Sequence, residues 1–430
     1  MKILVLGAAG FIGSAIVNAL TAHGMTVSAA VRDPAKLRRR FPGIDAFAVD
    51  LRSPTAADAG FWREHLDGVD AVINAAGVLS PRRDQEAWAV HRDAPDALYD
   101  ACEAMGVKRV IQISAVGIDE AQTLFARSKR AADEALMARP LDWTVLRPAV
   151  VVGDGSYGGT SMLRAIAACP GVTPVIGDGE TPLDFIHKDD LAAAIVEMLR
   201  GDDTIGQCLE PASADRLTLT EAVSAYRSWL GLAARPVLRV PRAAAFAMAK
   251  LGDLVRLEPI TTTALAQFEG RLTGDAPGFE AATGVKARGL RQLLAGRPAE
   301  SQDLWHARLY LLRPVIRLTL ALLWIVSGIA GLAADPSHYF PAVSGFGMTE
   351  AAFQAAVWAL SGLDFAIALA LICGWRLRQM AALQLAAVLA YTAGLTLTAP
   401  ALWLDLYGGL LKNLPILALL AVHWTLEVER

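Results

Sequence analysis

KILVLGAAGFIG, residues 2–13, decides how this chain is read. A compact apolar run comes first, and glycines follow at positions 7, 10 and 13, where a helix would open. Gly7 permits a tight turn, Gly10 lets a ligand approach bare backbone, and Gly13 lets the helix lie close on the strand. The helix N-terminus then faces negative charge, so the loop points to a pyrophosphate and hence to a dinucleotide. After Lys2 no formal charge occurs before Arg32, which invites a reading as signal peptide or first membrane span. The glycine spacing, with Asn18 and His23 interrupting the remainder, favours a buried strand and helix instead.

Working outward, apolar runs recur between helical patterns: TVSAAV (26–31), AFAVD (46–50), DAVINAAG (70–77), RVIQIS (109–114) and WTVLRP (143–148). Such alternation implies right-handed βαβ units, so the fold class is α/β, a Rossmann-type doubly wound parallel sheet. Asp33 and Pro34 read as the N-cap and first-turn proline of one helix. Asp189 or Asp190 is the expected cap of another through LAAAIVEMLR. The sheet domain is placed at 1–210, a mainly helical extension at 211–300 with a short strand in RPVLRVP (235–241), and a membrane domain at 301–430.

That last boundary rests on charge. The chain has 430 residues, 54% of them hydrophobic, and a mean hydropathy of +0.38. Only 12 charged residues lie in the 122 positions from Leu309 to Arg430, against an ordinary globular share before them. Residues 297–312 read as an amphipathic lead-in at the membrane surface. Four apolar stretches follow, Leu318–Ala334, Ala351–Trp375, Gln379–Leu404 and Leu406–Leu426, predicting an all-α bundle of four transmembrane helices. Arg308, Arg313 and Arg317 precede the first and Arg376 and Arg378 separate the second from the third. The connections at 335–350 and near 400 carry no Lys or Arg, so both termini and the sheet domain are expected on the cytoplasmic face of the inner membrane. Asp364 and Lys412 are ionisable groups within these stretches, read as an ion pair or else as a proton or quinone site.

A net charge of −3 with mixed signs leaves no basic footprint for nucleic acid. Cysteines 102, 169, 208 and 373 are too scattered for a zinc knuckle, a CxxC pair or a secretory disulfide framework. Arg32 ends the second strand run, with Arg38, Arg39 and Arg40 nearby; arginine there suits a ribose 2′-phosphate, so NADP(H) is favoured over NAD(H). The competing reading gives the ribose to Asp33. Asp50, ending the third run, is placed to touch the adenine amino group.

GAAGFIG, VRDP, VDL (49–51), NAAG (74–77), Ser114, LRP (146–148) and DFIHKDD (184–190), taken in order, resemble the extended and atypical short-chain dehydrogenase/reductases. The nearest group looks like the branch containing a nucleotide-binding accessory subunit of respiratory complex I. Residues 309–430 resemble, less specifically, a DoxX-like four-helix membrane domain, some relatives of which are linked to quinone redox chemistry. The matched motifs imply dinucleotide contacts from Phe11, Ile12, Leu51, Ala75, Ala76, Arg147 and Pro148 as well as the glycines, Arg32, Asp50 and Lys129.

The family's catalytic pair is Tyr-x-x-x-Lys on one helix face: the lysine holds the nicotinamide ribose and lowers the tyrosine pKa, and the phenol moves the proton. Here the match is FARSK (125–129), with Lys129 in place and Phe125 at the tyrosine position. Ser114 is left to polarise a carbonyl, and His187 is a further proton-donor candidate. Two chemistries survive the loss: hydride transfer to an acceptor that needs no protein acid, such as a quinone or flavin-like partner protonated by water, or NADP(H) binding without turnover as a sensor or scaffold. A small carbonyl is the other substrate class the family resemblance implies, and one that this loss should badly cripple.

Overall fold

The computed structural model describes residues 1–79, 84–257, 260–335, 337, 340, 347, 349–406 and 409–427. Six strands, β1 (Lys2–Leu6), β2 (Thr26–Val31), β3 (Asp45–Ala48), β4 (Ala71–Asn74), β5 (Arg109–Ile113) and β6 (Asp142–Leu146), join an edge strand, Gln207–Leu209. All pair in parallel, in the order edge strand, β6, β5, β4, β1, β2, β3. The strand order reverses between β1 and β4, which opens a crevice at their C-terminal ends, the usual ligand position of such sheets.

Alternation along β1 fixes the two layers. Ile3 and Val5 point to one face, where they join Ile16 and Leu20 of the helix Phe11–Ala22 and Ile195 of the helix Lys188–Met198. Leu4 and Leu6 point to the other and join Trp62, Leu98 and Tyr99. All of these are essentially inaccessible, and each large apolar side chain so buried contributes about 1.5 to 3 kcal/mol. A strand with both faces covered needs no polar alternation, which is why the runs are continuously apolar.

Asp33 caps the helix Pro34–Arg40, its Oδ1 accepting from Lys36 N at 2.9 Å. The helix Lys188–Met198 departs from expectation: its N-cap is His187, whose Nδ1 accepts from the Asp189 amide at 3.3 Å, and both aspartates fall in the first turn. There they still complement the helix dipole. RPVLRVP supplies a strand, Val237–Val240, paired in parallel with Thr173–Ile176 apart from the main sheet. A third core, with Phe185, Leu217 and Tyr226, lies in this later part.

Two compact units emerge, Met1–Lys250 with Glu258–Ala307, and Leu251–Leu257 with Arg308–Arg430. Among the described residues, three helices are long and apolar enough to cross a membrane: Ser301–Ala333, which runs unbroken through Pro314, Glu350–Ile372 and Leu377–Thr398. Leu320, Trp324, Ile367, Leu371, Val388 and Leu420 form the inner core of the second unit. Leu322, Val326, Trp358, Leu369 and Leu389 are exposed, the arrangement of a bundle whose outside is also apolar. The fourth stretch departs from the 21 residues expected. Its α-helix is Asn413–Leu426, 14 residues or about 21 Å, preceded by a 3₁₀ turn at Leu410–Lys412. Pro415 cannot donate within the first turn, so a helix begins there more easily than it passes through. The Asp364–Lys412 pair is absent among the described residues. Asp364 accepts from Ser327 Oγ at 2.7 Å inside the bundle, while Lys412, in the 3₁₀ turn, is exposed.

Candidate functional site

The crevice is built from the β1 turn outward. Gly7 has φ +73°, and a Cβ there would lie 2.8 Å from the Ala75 carbonyl oxygen. A Cβ on Gly13 would meet the Gly7 carbonyl oxygen at 2.1 Å, so the helix Phe11–Ala22 sits on the loop as only glycine allows. That helix has Gly10 as its N-cap, no side-chain cap and no acidic residue in its first turn, which leaves its first amides free to bind an anion. Ile12 packs on the adjoining core, and the Phe11 ring stacks on Tyr157 at 5.4 Å. These features fit a dinucleotide pyrophosphate.

Across the crevice, Asn74 shapes the NAAG turn. Its Oδ1 accepts from Ala76 N at 3.1 Å, and its amide donates to Gln112 Oε1 at 2.8 Å, where Tyr99 also donates at 2.7 Å. The Ala76 carbonyl is thereby aimed at Lys129. Lys129, on the helix Leu124–Met137 and 5% exposed, donates to Ala76 O at 3.1 Å and to Ile113 O at 2.9 Å. Two of three ammonium protons are thus fixed at the C-terminal ends of β4 and β5. Burial pulls the Lys129 pKa down to about 8, with nearby Asp133 opposing the shift.

Phe125 lies one turn before Lys129, with its ring edge-on to His91 at 5.5 Å. His91 sits in a π-turn, Ala89–Asp93, and is fully buried. Its Nε2 accepts from Val78 N at 2.9 Å, which leaves Nδ1 to donate to Ser128 Oγ at 2.7 Å; Ser128 donates on to Phe125 O at 3.1 Å. Burial, reinforced by Lys129, lowers the His91 pKa to about 2, so the ring is neutral and both nitrogens are committed.

Ser114 does not present a free hydroxyl: Oγ donates to Asp133 Oδ2 at 2.8 Å. Arg147 is engaged on the same carboxylate, through Nε at 3.0 Å, and on Asp119 at 2.6 Å. Asp133 is fully buried, which raises its pKa, and was not anticipated from sequence, although its spacing of four from Lys129 puts both on one helix face. The Pro148 carbonyl accepts from Val116 N, and Leu51 packs under the second core.

At the adenosine end, Arg32 is exposed directly after β2, with no hydrogen bond or ion pair among the described residues. Its neighbour Asp33 is occupied as a cap. Asp50 is bidentate with Arg52, at 2.9 and 2.7 Å, and that bond holds its carboxyl below the usual range. His187 faces the Arg288 guanidinium at 3.0 Å, and burial lowers its pKa. Asp154 and Asp189 lie within 4.8 Å of it, but Lys188 already pairs with Asp189.

Residues 7–202 match the family described as NAD(P)H-binding, and residues 321–421 match the DoxX-like family. The chain joins an NAD(P)H-binding Rossmann domain to a DoxX-like domain. The chain is 26% identical over 199 residues to a ceramide reductase of Caulobacter vibrioides, covering 46% of this chain and 61% of that protein. It is 32% identical over 120 residues to NADH dehydrogenase (ubiquinone) 1 alpha subcomplex subunit 9 of Arabidopsis thaliana, 27% of this chain and 29% of that one. The chain therefore spans less than two thirds of the length of either relative. Over 69% of its length the chain resembles in fold the dTDP-glucose 4,6-dehydratase of Streptomyces venezuelae solved with NAD bound, with a TM-score of 0.53, 20% identity and 96% of that chain covered. The DoxX-like domain and its three long apolar helices associate the chain with a membrane.

Proposed function

We propose that the protein is a membrane-anchored, NADP(H)-binding oxidoreductase whose acceptor is a quinone or another lipid-soluble carbonyl. The observation that carries this reading is Lys129, buried and held by two backbone carbonyls in the same crevice as the glycine loop. A lysine so placed serves a nicotinamide ribose and has no evident purpose in the hydrophobic core. Gly7, Gly10, Gly13 and the amides after them would hold the pyrophosphate, Arg32 the 2′-phosphate, and Lys129 the nicotinamide ribose. When bound, the reduced cofactor supplies a hydride. Phe125 removes the phenol that would protonate a carbonyl oxygen, and the neutral, fully bonded His91 does not replace it. A quinone tolerates this loss, because water can protonate the quinol oxygens. The relative named for reducing ceramide fits an acceptor within the membrane.

Four membrane crossings with both ends cytoplasmic belong to this reading, the fourth made by the short helix Asn413–Leu426 together with the 3₁₀ turn before it. Arg313, in the first half of the helix Ser301–Ala333, is bonded to Glu427, just past the last helix, which supports placing those two segments on one side. An even number of passes accords with that bond, and the arginines at this end favour the cytoplasmic side.

Phe125 also favours a second reading, an NADP(H)-binding scaffold without turnover. Purified protein incubated with NADPH and a panel of short-chain quinones and aldehydes separates the two. Oxidation of NADPH supports the enzyme; tight binding with no oxidation supports the scaffold.

A further inference from the structure

Five arginines gather at one end of the helical unit, and a chain of contacts ties them together. Arg317, buried, donates to the carbonyl of Val255 and, at 3.2 Å, to that of Arg256. Arg256 donates to Cys373 O at 3.0 Å, at the end of the helix Glu350–Ile372. Arg376 and Arg378 follow, their guanidinium groups over the rings of Trp375 and Trp424 at 5.2 and 5.6 Å. Arg313 closes the group through Glu427 at 3.0 Å. Against these cations stand Glu427 and, one turn before Arg256, Asp253.

Among the described residues of this group positive charge is therefore in excess, and part of it is without a carboxylate partner. Arg256, Arg376 and Arg378 are exposed, and neither Arg376 nor Arg378 has a carboxylate partner among the described residues. The backbone is also spent on this arrangement. Among the described residues, the non-glycine positions with positive φ are Arg256 (50°) and Arg376 (44°), both in this cluster. Strain of that kind persists where the surroundings require it, often at a ligand site. Apolar side chains lie on the same segments: Leu251 is 59%, Leu254 75% and Trp375 52% exposed.

Guanidinium forks beside bare apolar surface, at the end of membrane-crossing helices, suit one class of ligand with both characters. We propose that this end binds the phosphate headgroup of an anionic phospholipid through Arg256, Arg376 and Arg378, with Leu251, Leu254 and Trp375 against its acyl chains. Bound there, the lipid neutralises the excess charge and covers the exposed leucines. The site rests on the helices being membrane spans and is independent of the nucleotide chemistry.

The full chain is reconstituted in nanodiscs holding equal phosphatidylcholine and phosphatidylglycerol, and the lipids retained after release are counted by native mass spectrometry. Wild type is expected to retain phosphatidylglycerol in preference by on the order of tenfold or more, given the attraction of each basic residue to anionic lipid. The Arg256→Gln/Arg376→Gln/Arg378→Gln variant should fall to parity, while Arg63→Gln/Arg200→Gln/Arg235→Gln, which removes equal charge elsewhere, should not. Should the triple variant fail to fold, Arg378→Gln alone must reduce the preference. Equal retention of both lipids by wild type, an unchanged preference in the site variants, or displacement of the lipid by millimolar inorganic phosphate would each overturn the assignment.

Discussion

Ser114 Oγ donates to Asp133 Oδ2 at 2.8 Å, and that carboxylate is wholly buried. The serine that follows β5 therefore directs its hydroxyl proton at this carboxylate. Ser114→Ala removes one of the donors that compensate a buried carboxylate and should destabilise the NAD(P)H-binding domain by about 1 to 3 kcal/mol, with NADPH affinity little changed. Urea unfolding alongside a binding titration checks both halves.

Lys129 should lose its hold on the cofactor in alkali. Its pKa of about 8 means that the charge disappears as pH rises through that value, so NADPH binding weakens above it. Lys129→Ala should weaken binding by about 1 to 3 kcal/mol at neutral pH and flatten this pH profile. The sign for stability is opposite. Between about 8 and the ordinary 10.5 the unfolded chain holds this proton more tightly than the folded one, so the contribution of Lys129 to stability rises with pH across that window.

Phe125→Tyr tests whether the helix Leu124–Met137 retains the geometry of a Tyr-x-x-x-Lys site. Phe125 is only partly buried, so the added hydroxyl can remain hydrated and stability should change little. One turn from Lys129, the phenol should regain a lowered pKa. The variant is expected to reduce aldehydes with NADPH where wild type shows little, a gain of about 10² or more, the scale of general acid–base help. Equal, robust activity in both proteins would place the proton source elsewhere.

Much of this was legible in the sequence because period and glycine spacing are local signals. All six strand runs emerged within a few residues, and Asp33 with Pro34 capped the helix that their order implied. Gln207–Leu209 escaped notice because two exposed residues and one buried leucine make no apolar run. His91 and Ser128 were invisible, since a lone histidine acquires its role only when a π-turn folds it onto a helix 37 residues later. Lys412 misled for the opposite reason: an apolar stretch does not reveal that Pro415 restarts the helix beyond it.

Arg32 should govern cofactor choice. With Asp33 tied up as a cap, Arg32→Glu puts a carboxylate where a 2′-phosphate is expected. NADPH affinity should fall by about 1.5 to 3 kcal/mol, the worth of a hydrogen bond to a charged group, and NADH should lose much less. Competition binding of the two cofactors gives the ratio directly.

That NADPH bound beside Lys129 gives its hydride to an acceptor in the membrane is the step on which the proposed function turns. It is tested most directly by a single-turnover measurement on the full chain in nanodiscs with and without a lipid-soluble quinone. The expected result is rapid oxidation of bound NADPH with matching quinol formation in quinone-containing discs, slow oxidation without quinone, and loss of the fast phase in Lys129→Ala. NADPH that binds tightly yet stays reduced in both kinds of disc would contradict the claim.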